Sequence, residues 1–157
     1  MVLIKENKSK FRSVHFDGEF YYKSWNFSDS SWLEAHVELL NTYAPEIVNS
    51  YSCNKDRMTL KMNVIEGKLA STFDHTQEFF DKIYSACIKD LERTRPYAHG
   101  DWVLSNMIIT PDDKVVFIDW DNINLFPRKG AIIKMHLDLK SAFGEKFEGF
   151  LNDTTSI

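Results

Sequence analysis

The sequence has little cysteine, and it lacks any long hydrophobic run. Only 2 of its 157 residues are cysteine, and Cys53 and Cys87 do not have metal-site spacing. Neither a disulfide framework nor a cysteine-based metal site is therefore expected. No apolar run reaches the ~18 residues that a membrane-spanning helix needs, and the first five residues, MVLIK, become charged too early for a secretory signal. We expect a cytoplasmic protein without a membrane contact.

An excess of positive charge is also missing. The chain carries 19 Lys and Arg against 23 Asp and Glu, a net charge of −4, so we do not expect it to bind nucleic acid. Hydrophobic residues make up 43% and aromatic residues 14%, which suffices for a substantial core. The length of 157 residues suits one domain or two small lobes.

The first half of the chain combines apolar segments suited to strands with one helical pattern. Asp17 and Gly18 form a turn dipeptide between two of these segments. Ser31 and Glu34 match a capping box at the start of a helix, and Pro45 marks the end of that helix. Strands are predicted at residues 2–4, 11–16, 19–25, 47–51 and 58–65.

The second half contains the strongest helical pattern of the sequence, at residues 77–93, where apolar side chains recur on one face. Two short strands at 107–109 and 115–118 follow it, joined by a turn at 111–113. A last helix is predicted near 132–143. This order of elements predicts an α+β fold and not the regular alternation of a doubly wound parallel sheet.

The residues with the clearest chemical meaning flank the predicted hairpin. Residues 99–106 read HGDWVLSN, and residues 118–121 read IDWD. Asp101 and Asn106 precede the first strand and Asp119 ends the second, so both sides of the hairpin mouth offer oxygen ligands to one region. Amide and carboxylate oxygens suit Mg²⁺. A carboxylate that stays off the metal can accept a proton from an attacking hydroxyl, as phosphoryl transfer requires.

The pattern HGDxxxxN followed by IDWD resembles the catalytic signature of the aminoglycoside phosphotransferase and choline kinase group, which has the protein-kinase-like fold. The resemblance implies that Asp101 is the catalytic base, which orients the acceptor hydroxyl. It implies that Asn106 and Asp119 hold Mg²⁺ against the nucleotide phosphates. Asp121 would be a further carboxylate that supports the metal site or holds a second ion.

The same resemblance assigns roles to residues upstream. Lys23, in the strand FYYK, takes the place of the lysine that contacts the nucleotide phosphates. Glu34 takes the place of the helix glutamate that pairs with this lysine, although Glu38, one helical turn further, could be its true partner. Backbone groups near Asn63 and Ile65 would face the adenine ring.

The sequence also departs from the pattern of this group. The connection between the first two strands has no glycine, so the side chains of Lys8, Ser9 and Lys10 would have to contact the phosphates. Only residues 122–157 remain to shape the acceptor pocket, so the resemblance implies an unusually short member of this group. The usual Gly-Asp-Pro continuation after IDWD is absent, and Asp138 is a candidate for the later structural aspartate.

We therefore expect a two-lobed α+β protein, with a β-rich nucleotide-binding lobe at 1–64 and a reduced helical catalytic lobe at 65–157. Its expected activity is the transfer of the γ-phosphate of ATP, with Mg²⁺, to a hydroxyl of a small molecule; GTP in place of ATP stays open. The alternatives are a nucleotide-binding pseudo-enzyme with a regulatory role and, ranked last, a two-metal phosphohydrolase. A partner subunit or a second copy of the chain could complete the acceptor site, so a homo-oligomer is also considered.

Overall fold

The computed structural model describes residues 1–7, 12–125 and 127–144. The chain divides into two compact units, Met1–Ile65 and Glu66–Ile157. The boundary predicted from the sequence, between residues 64 and 65, lies one residue earlier. Lys8, Ser9 and Lys10, which were predicted to contact phosphates, lie outside the described residues.

Unit 1 is built on an antiparallel sheet of five strands in the order β1-β2-β3-β5-β4. This sheet confirms the predicted strands, with shifts of one to three residues at their ends, because alternating and β-branched segments favour pleated structure. The strands are β1 (Val2–Asn7), β2 (Arg12–Phe16), β3 (Phe20–Trp25), β4 (Val48–Cys53) and β5 (Met58–Asn63).

The turn between β2 and β3 is held by Asp17. Its Oδ1 accepts hydrogen bonds from the backbone N–H of Phe20 at 2.8 Å and of Glu19 at 2.9 Å. These bonds, with one from the Tyr22 hydroxyl, lower the pKa of Asp17 to about 2. Gly18 has a φ of +106°, a conformation that residues with a side chain rarely adopt. The predicted turn is thus confirmed.

Helix α1 (Ser30–Tyr43) begins one residue earlier than predicted, and its capping residue is Asp29. The Oδ1 of Asp29 accepts a hydrogen bond from the backbone N–H of Trp32 at 3.0 Å. The predicted capping box at Ser31 is therefore wrong: Asp caps as well as Ser does, and Asp29 has the extended backbone that a cap needs. Glu34 consequently has no capping role.

Unit 2 contains short strands and two helices. Helix α2 occupies the residues predicted for it, whereas α3 begins four residues earlier than predicted, directly after Pro127. The elements are β6 (Lys68–Leu69), α2 (Gln77–Arg93), β7 (Tyr97–Ala98), β8 (Met107–Ile109), β9 (Val115–Phe117), β10 (Asn124–Leu125) and α3 (Arg128–Phe143).

The sheets of unit 2 are small. Strands β6, β8 and β9 form one antiparallel sheet, and β7 pairs with β10 in a second. The predicted hairpin is thus confirmed as β8 and β9. The described residues form an α+β fold with three α-helices, and none of these helices is both long and apolar enough to cross a membrane.

The core of unit 2 lies where α2 packs on α3. Apolar residues three or four positions apart on α2 face this core, as the helical periodicity predicted. The rings of Phe80 and Phe143 meet edge to face with their centroids 5.1 Å apart. The buried residues of these helices include Phe80, Ile83, Cys87, Leu91, Met135, Leu139 and Phe143. This packing fixes the end of α2 beside the loop that carries Asp101.

Candidate active site

The carboxylate of Asp101 is held by two side-chain amides. Its Oδ2 accepts a hydrogen bond from Nδ2 of Asn106 at 2.9 Å and another from Nδ2 of Asn122 at 3.3 Å. Within the described part of the chain, no hydrogen bond engages its Oδ1. One oxygen of Asp101 is therefore fixed, and the other can accept a hydrogen bond from a substrate hydroxyl.

Asn106 is nearly buried and lies at the start of the hairpin. Its backbone N–H donates to the carbonyl of Val103 at 2.9 Å, and its backbone carbonyl accepts from the N–H of Ile118 at 2.8 Å. Because its side-chain N–H groups point at Asp101, the amide oxygen faces the other way, and no described residue donates a hydrogen bond to it. That oxygen suits a hard cation.

Asp119 directly follows the second strand of the hairpin and has a left-handed backbone, with φ 60° and ψ 57°. For a residue with a Cβ this conformation costs about 1 kcal/mol, and such residues cluster at functional sites. The bond from Ile118 to Asn106 ties the two strands together next to Asp119. The structure thus brings Asp101, Asn106 and Asp119 to the same end of the hairpin.

His99 lies in the interior of unit 2, next to this end of the hairpin. Its side chain is fully buried, and its Nε2 lies 2.9 Å from the carbonyl oxygen of Ile118. Its ring meets Trp120 edge to face, with centroids 4.5 Å apart. Burial lowers the pKa of His99 to about 4, although the Ile118 carbonyl and the nearby carboxylates act in the opposite direction. The imidazole is therefore neutral at pH 7 and acts as a structural link.

Asp138, suggested by the sequence as a structural aspartate, lies on α3 and reaches the loop that carries Asp101. Its Oδ2 accepts a hydrogen bond from the backbone N–H of Trp102 at 2.9 Å. Lys134, one turn earlier on the helix, pairs with the same carboxylate. The residue after Asp101 is thus attached to α3.

Two polar residues near this loop were missed from the sequence. Asn122, in the turn after Asp119, had no assigned role. Asp90 lies on the apolar face of α2 and is 1% exposed. Burial raises its pKa to about 6, against the opposing effects of Arg93 and Trp102. A carboxylate on the buried side of an amphipathic helix is a signal that sequence reasoning could have used.

Asp121 lies in the turn of residues 120–122 directly after Asp119. Its role near a metal stays a prediction.

The predicted phosphate-contacting lysine lies in unit 1. Lys23 is 4% exposed in the central strand β3, and its Nζ is 5.9 Å from the ring centroid of Trp25. Glu34 and Glu38 are both exposed on α1. The pairing of Lys23 with either glutamate stays a prediction.

Asn63, predicted to face adenine, ends β5 with its polar groups engaged inside unit 1. Its backbone N–H donates to the carbonyl of Ile47 at 2.8 Å. Its side-chain amide donates to the carbonyls of Glu46 at 3.0 Å and Val48 at 3.3 Å. The N–H of Asn63 is therefore already satisfied, whereas Ile65 is half-buried. A contact of either residue with adenine stays a prediction.

The donor set at the hairpin fits Mg²⁺ better than a softer metal. Among the described residues, no three His, Cys, Asp or Glu side chains are grouped so that they could hold a metal ion. Asn106 and Asp119 would instead supply one amide oxygen and one carboxylate. Mg²⁺ accepts so few protein ligands where water and substrate phosphates complete its shell.

Comparisons with known proteins identify the fold. No family model and no curated protein matches the sequence. Among solved structures, monomeric WbdD has a TM-score of 0.64 at 14% identity, covering 92% of this chain and 40% of that one. The aminoglycoside phosphotransferase APH(3'')-Id from Streptomyces rimosus has a TM-score of 0.63 at 14% identity, covering 99% of this chain and 85% of that one.

The kinase PK-1 of the Cydia pomonella granulovirus has the same general architecture. Its TM-score is 0.53 at 16% identity, with 80% of this chain and 54% of that chain covered. The present chain spans 32–40% of the WbdD chains that it matches. The described α+β structure is therefore a kinase-like fold.

Proposed function

We propose that this kinase-like chain is an ATP- and Mg²⁺-dependent phosphotransferase of the aminoglycoside phosphotransferase and choline kinase type, which acts on a hydroxyl group of a small molecule. The observation that carries the proposal is the geometry of Asp101. Two amides fix its Oδ2, and no described residue donates a hydrogen bond to its Oδ1. Such a carboxylate can orient an incoming hydroxyl and accept its proton.

In the proposed reaction, the acceptor hydroxyl donates a hydrogen bond to Oδ1 of Asp101. The hydroxyl oxygen then bonds to the γ-phosphorus, the bond from that phosphorus to the leaving oxygen of ADP breaks, and the proton passes to Asp101. Asn106 and Asp119 would hold the metal, and Lys23 would contact the nucleotide phosphates. Bound Mg²⁺ supplies neutralisation of the phosphate charge.

The acceptor class is proposed from the chemistry of a single orienting carboxylate and from the phosphotransferase among the structural neighbours. Sugars, amino alcohols and aminoglycosides all carry hydroxyl groups of the required kind. Because the neighbour is an aminoglycoside phosphotransferase, aminoglycosides belong first in any substrate panel.

A nucleotide-binding pseudo-enzyme is the second candidate. It is favoured by Glu34 and Glu38, which are both exposed on α1. In a kinase mechanism, the ion pair of the strand lysine with a helix glutamate has to be in place for activity. A chain whose helix glutamates stay exposed and do not pair with the strand lysine would bind nucleotide and turn it over slowly.

The test is ADP release by the purified full chain with ATP, Mg²⁺ and a panel of small hydroxyl compounds. We expect acceptor-dependent ADP release that is lost in Asp101→Ala and in Asp119→Ala, while circular dichroism shows both variants folded. Asp81→Ala is the matched control, because Asp81 is an exposed carboxylate on α2 whose Oδ1 accepts a hydrogen bond from Gln77. Undiminished activity of Asp101→Ala would overturn the proposal. Tight ATP binding without turnover by the unaltered chain would instead support the second candidate.

A further inference from the structure

Two buried tryptophans adjoin the candidate catalytic carboxylates. Trp102 follows Asp101 and is fully buried, and Trp120 follows Asp119 and is 3% exposed. Both indoles contact side chains from the last turn of α2. The position of each loop therefore depends on the α2 side chains that contact its tryptophan.

Asp90 binds one of these tryptophans directly. Its Oδ2 accepts a hydrogen bond from Nε1 of Trp102 at 3.2 Å, and its Oδ1 pairs with Nη2 of Arg93 at 2.9 Å. The same Trp102 gives its backbone N–H to Asp138 on α3. The residue next to Asp101 is thus held at both ends by carboxylates from two different helices.

Arg93 continues the connection to the second tryptophan. Its guanidinium carbon lies 5.4 Å from the ring centroid of Trp120, within the range of a cation–π contact. Trp120 also donates from Nε1 to the carbonyl oxygen of Phe117 at 2.7 Å, which fixes its ring against the end of β9. One ion pair on α2 therefore touches the tryptophans of both loops.

The free-energy cost of burying the Asp90 carboxylate indicates that this residue does more than fill the core. A carboxylate at 1% exposure is expensive to bury, and apolar residues of similar volume often stabilise a core at least as well as a buried ion pair does. Unlike an apolar residue, Asp90 fixes an orientation, because its carboxylate accepts a hydrogen bond from one defined indole N–H and also orients the guanidinium of Arg93.

We propose that Asp90 and Arg93 are positioning residues for the phosphoryl transfer proposed above. They hold Trp102 and Trp120, and through these the backbones of Asp101 and Asp119, in the orientation that the reaction needs. The inference rests on the proposed function for its catalytic part. The attachment of the two loops to α2 can be measured without catalysis.

The kinetic test is a double-mutant cycle with Asp90→Asn, which keeps an acceptor oxygen but loses the charge, and Trp102→Phe, which loses the indole N–H. We expect each single variant to lower kcat by about tenfold while the KM for ATP changes by less than about twofold. The double variant should lose less than the sum of the two single losses, because both changes weaken the bond between residue 90 and the indole of Trp102. Asp81→Asn, on the exposed side of α2, is the matched control with unaltered kinetics.

Additive losses in the cycle, or a kcat that stays unchanged in the folded Asp90→Asn protein, would overturn the inference. If Asp90→Asn fails to fold, Arg93→Lys is used in its place. This change at a partly exposed side chain keeps the positive charge but loses the planar guanidinium that can stack on a ring. The same tenfold loss in kcat is then expected, and wild-type kcat would refute it.

Nuclear magnetic resonance separates this inference from the proposed function. In the unligated full chain, Asp90→Asn should shift the indole N–H signal of Trp102 and the backbone amide signals of Asp101 and Asp119. If these shifts occur but the unaltered chain transfers no phosphate, the proposed function is wrong and the positioning role still stands. Amide signals of Asp101 and Asp119 that do not move in the variant refute the positioning role, whether or not the chain is active.

Discussion

Asn122 donates a hydrogen bond from its side-chain amide to Oδ2 of Asp101 at 3.3 Å. The same oxygen accepts the shorter bond from Asn106, at 2.9 Å, in more buried surroundings. The proposed base is therefore oriented from both sides of the hairpin, by one residue that lies before β8 and one that follows β9.

Asn122→Ala should lower kcat by about 2- to 10-fold, since a hydrogen bond of this kind contributes roughly 0.5–1.5 kcal/mol. The KM for ATP should stay nearly constant, because the amide orients the base and is not a predicted ligand of the nucleotide. Steady-state ADP release measures both quantities. Gln77→Ala is the matched control, since Gln77 is an exposed amide that bonds to Asp81 outside the site. Equal kcat values for wild type and Asn122→Ala would contradict the expectation.

The sequence predicts only those residues of the candidate site that belong to short motifs along the chain. HGDxxxxN and IDWD flank a strand pattern, and the hairpin joins them, so Asp101, Asn106 and Asp119 could be named as candidates. The bond from Asn122 joins positions 21 residues apart through an exposed turn, for which no local pattern exists. Asp90 was missed because the helical spacing shows which side of α2 it occupies but not its partner Trp102, which lies 12 residues away.

The secondary structure shows the same difference between features set by local sequence and features set by long-range contacts. The 17 residues of α2 carry enough helical periods to define their own ends. Strands β6, β7 and β10 have two residues each, which is too short for any alternation to appear. They exist because neighbouring backbone pairs with them, and long-range pairing of this kind leaves no trace in composition.

The left-handed backbone of Asp119 predicts a difference between two inactivating variants. Both Asp119→Gly and Asp119→Ala remove the carboxylate, so neither should transfer phosphate. Glycine adopts the φ of 60° without strain, whereas alanine does not. The free energy of unfolding of Asp119→Gly should therefore exceed that of Asp119→Ala by about 1 kcal/mol, measured by urea denaturation. An alanine variant at least as stable as the glycine variant would show that the backbone relaxes there.

Asp90 predicts a pH dependence of stability. Burial raises its pKa from 3.8 to about 6, so between these values the folded protein holds a proton that the unfolded chain releases. The stability due to the protonated carboxyl is complete at low pH and is lost as the pH rises through 6. Relative to Asp90→Asn, which does not titrate, the free energy of unfolding of the wild type should fall by about 2 kcal/mol from pH 4 to pH 7.

Urea denaturation of both proteins across this pH range measures the difference. The lowered pKa of His99 acts in the opposite sense, but it is present in both proteins and cancels between them. Parallel stability curves for wild type and Asp90→Asn would mean that the ion pair with Arg93 outweighs burial and keeps Asp90 ionised.

Two glycines of unit 2 predict opposite responses to the same substitution. A Cβ on Gly67 would lie 2.3 Å from the backbone oxygen of Ile109, and its φ is +147°. Gly67→Ala should therefore destabilise the fold by about 2–3 kcal/mol, since neither the strand backbone nor the dihedral angle can relax cheaply. Gly130, in the first turn of α3, has open space around its Cβ position, so Gly130→Ala should stabilise the protein by about 0.5–1 kcal/mol. Guanidinium denaturation followed by tryptophan fluorescence distinguishes these outcomes. A Gly67→Ala protein as stable as wild type would show that β6 does not approach β8 as closely as the structure has it.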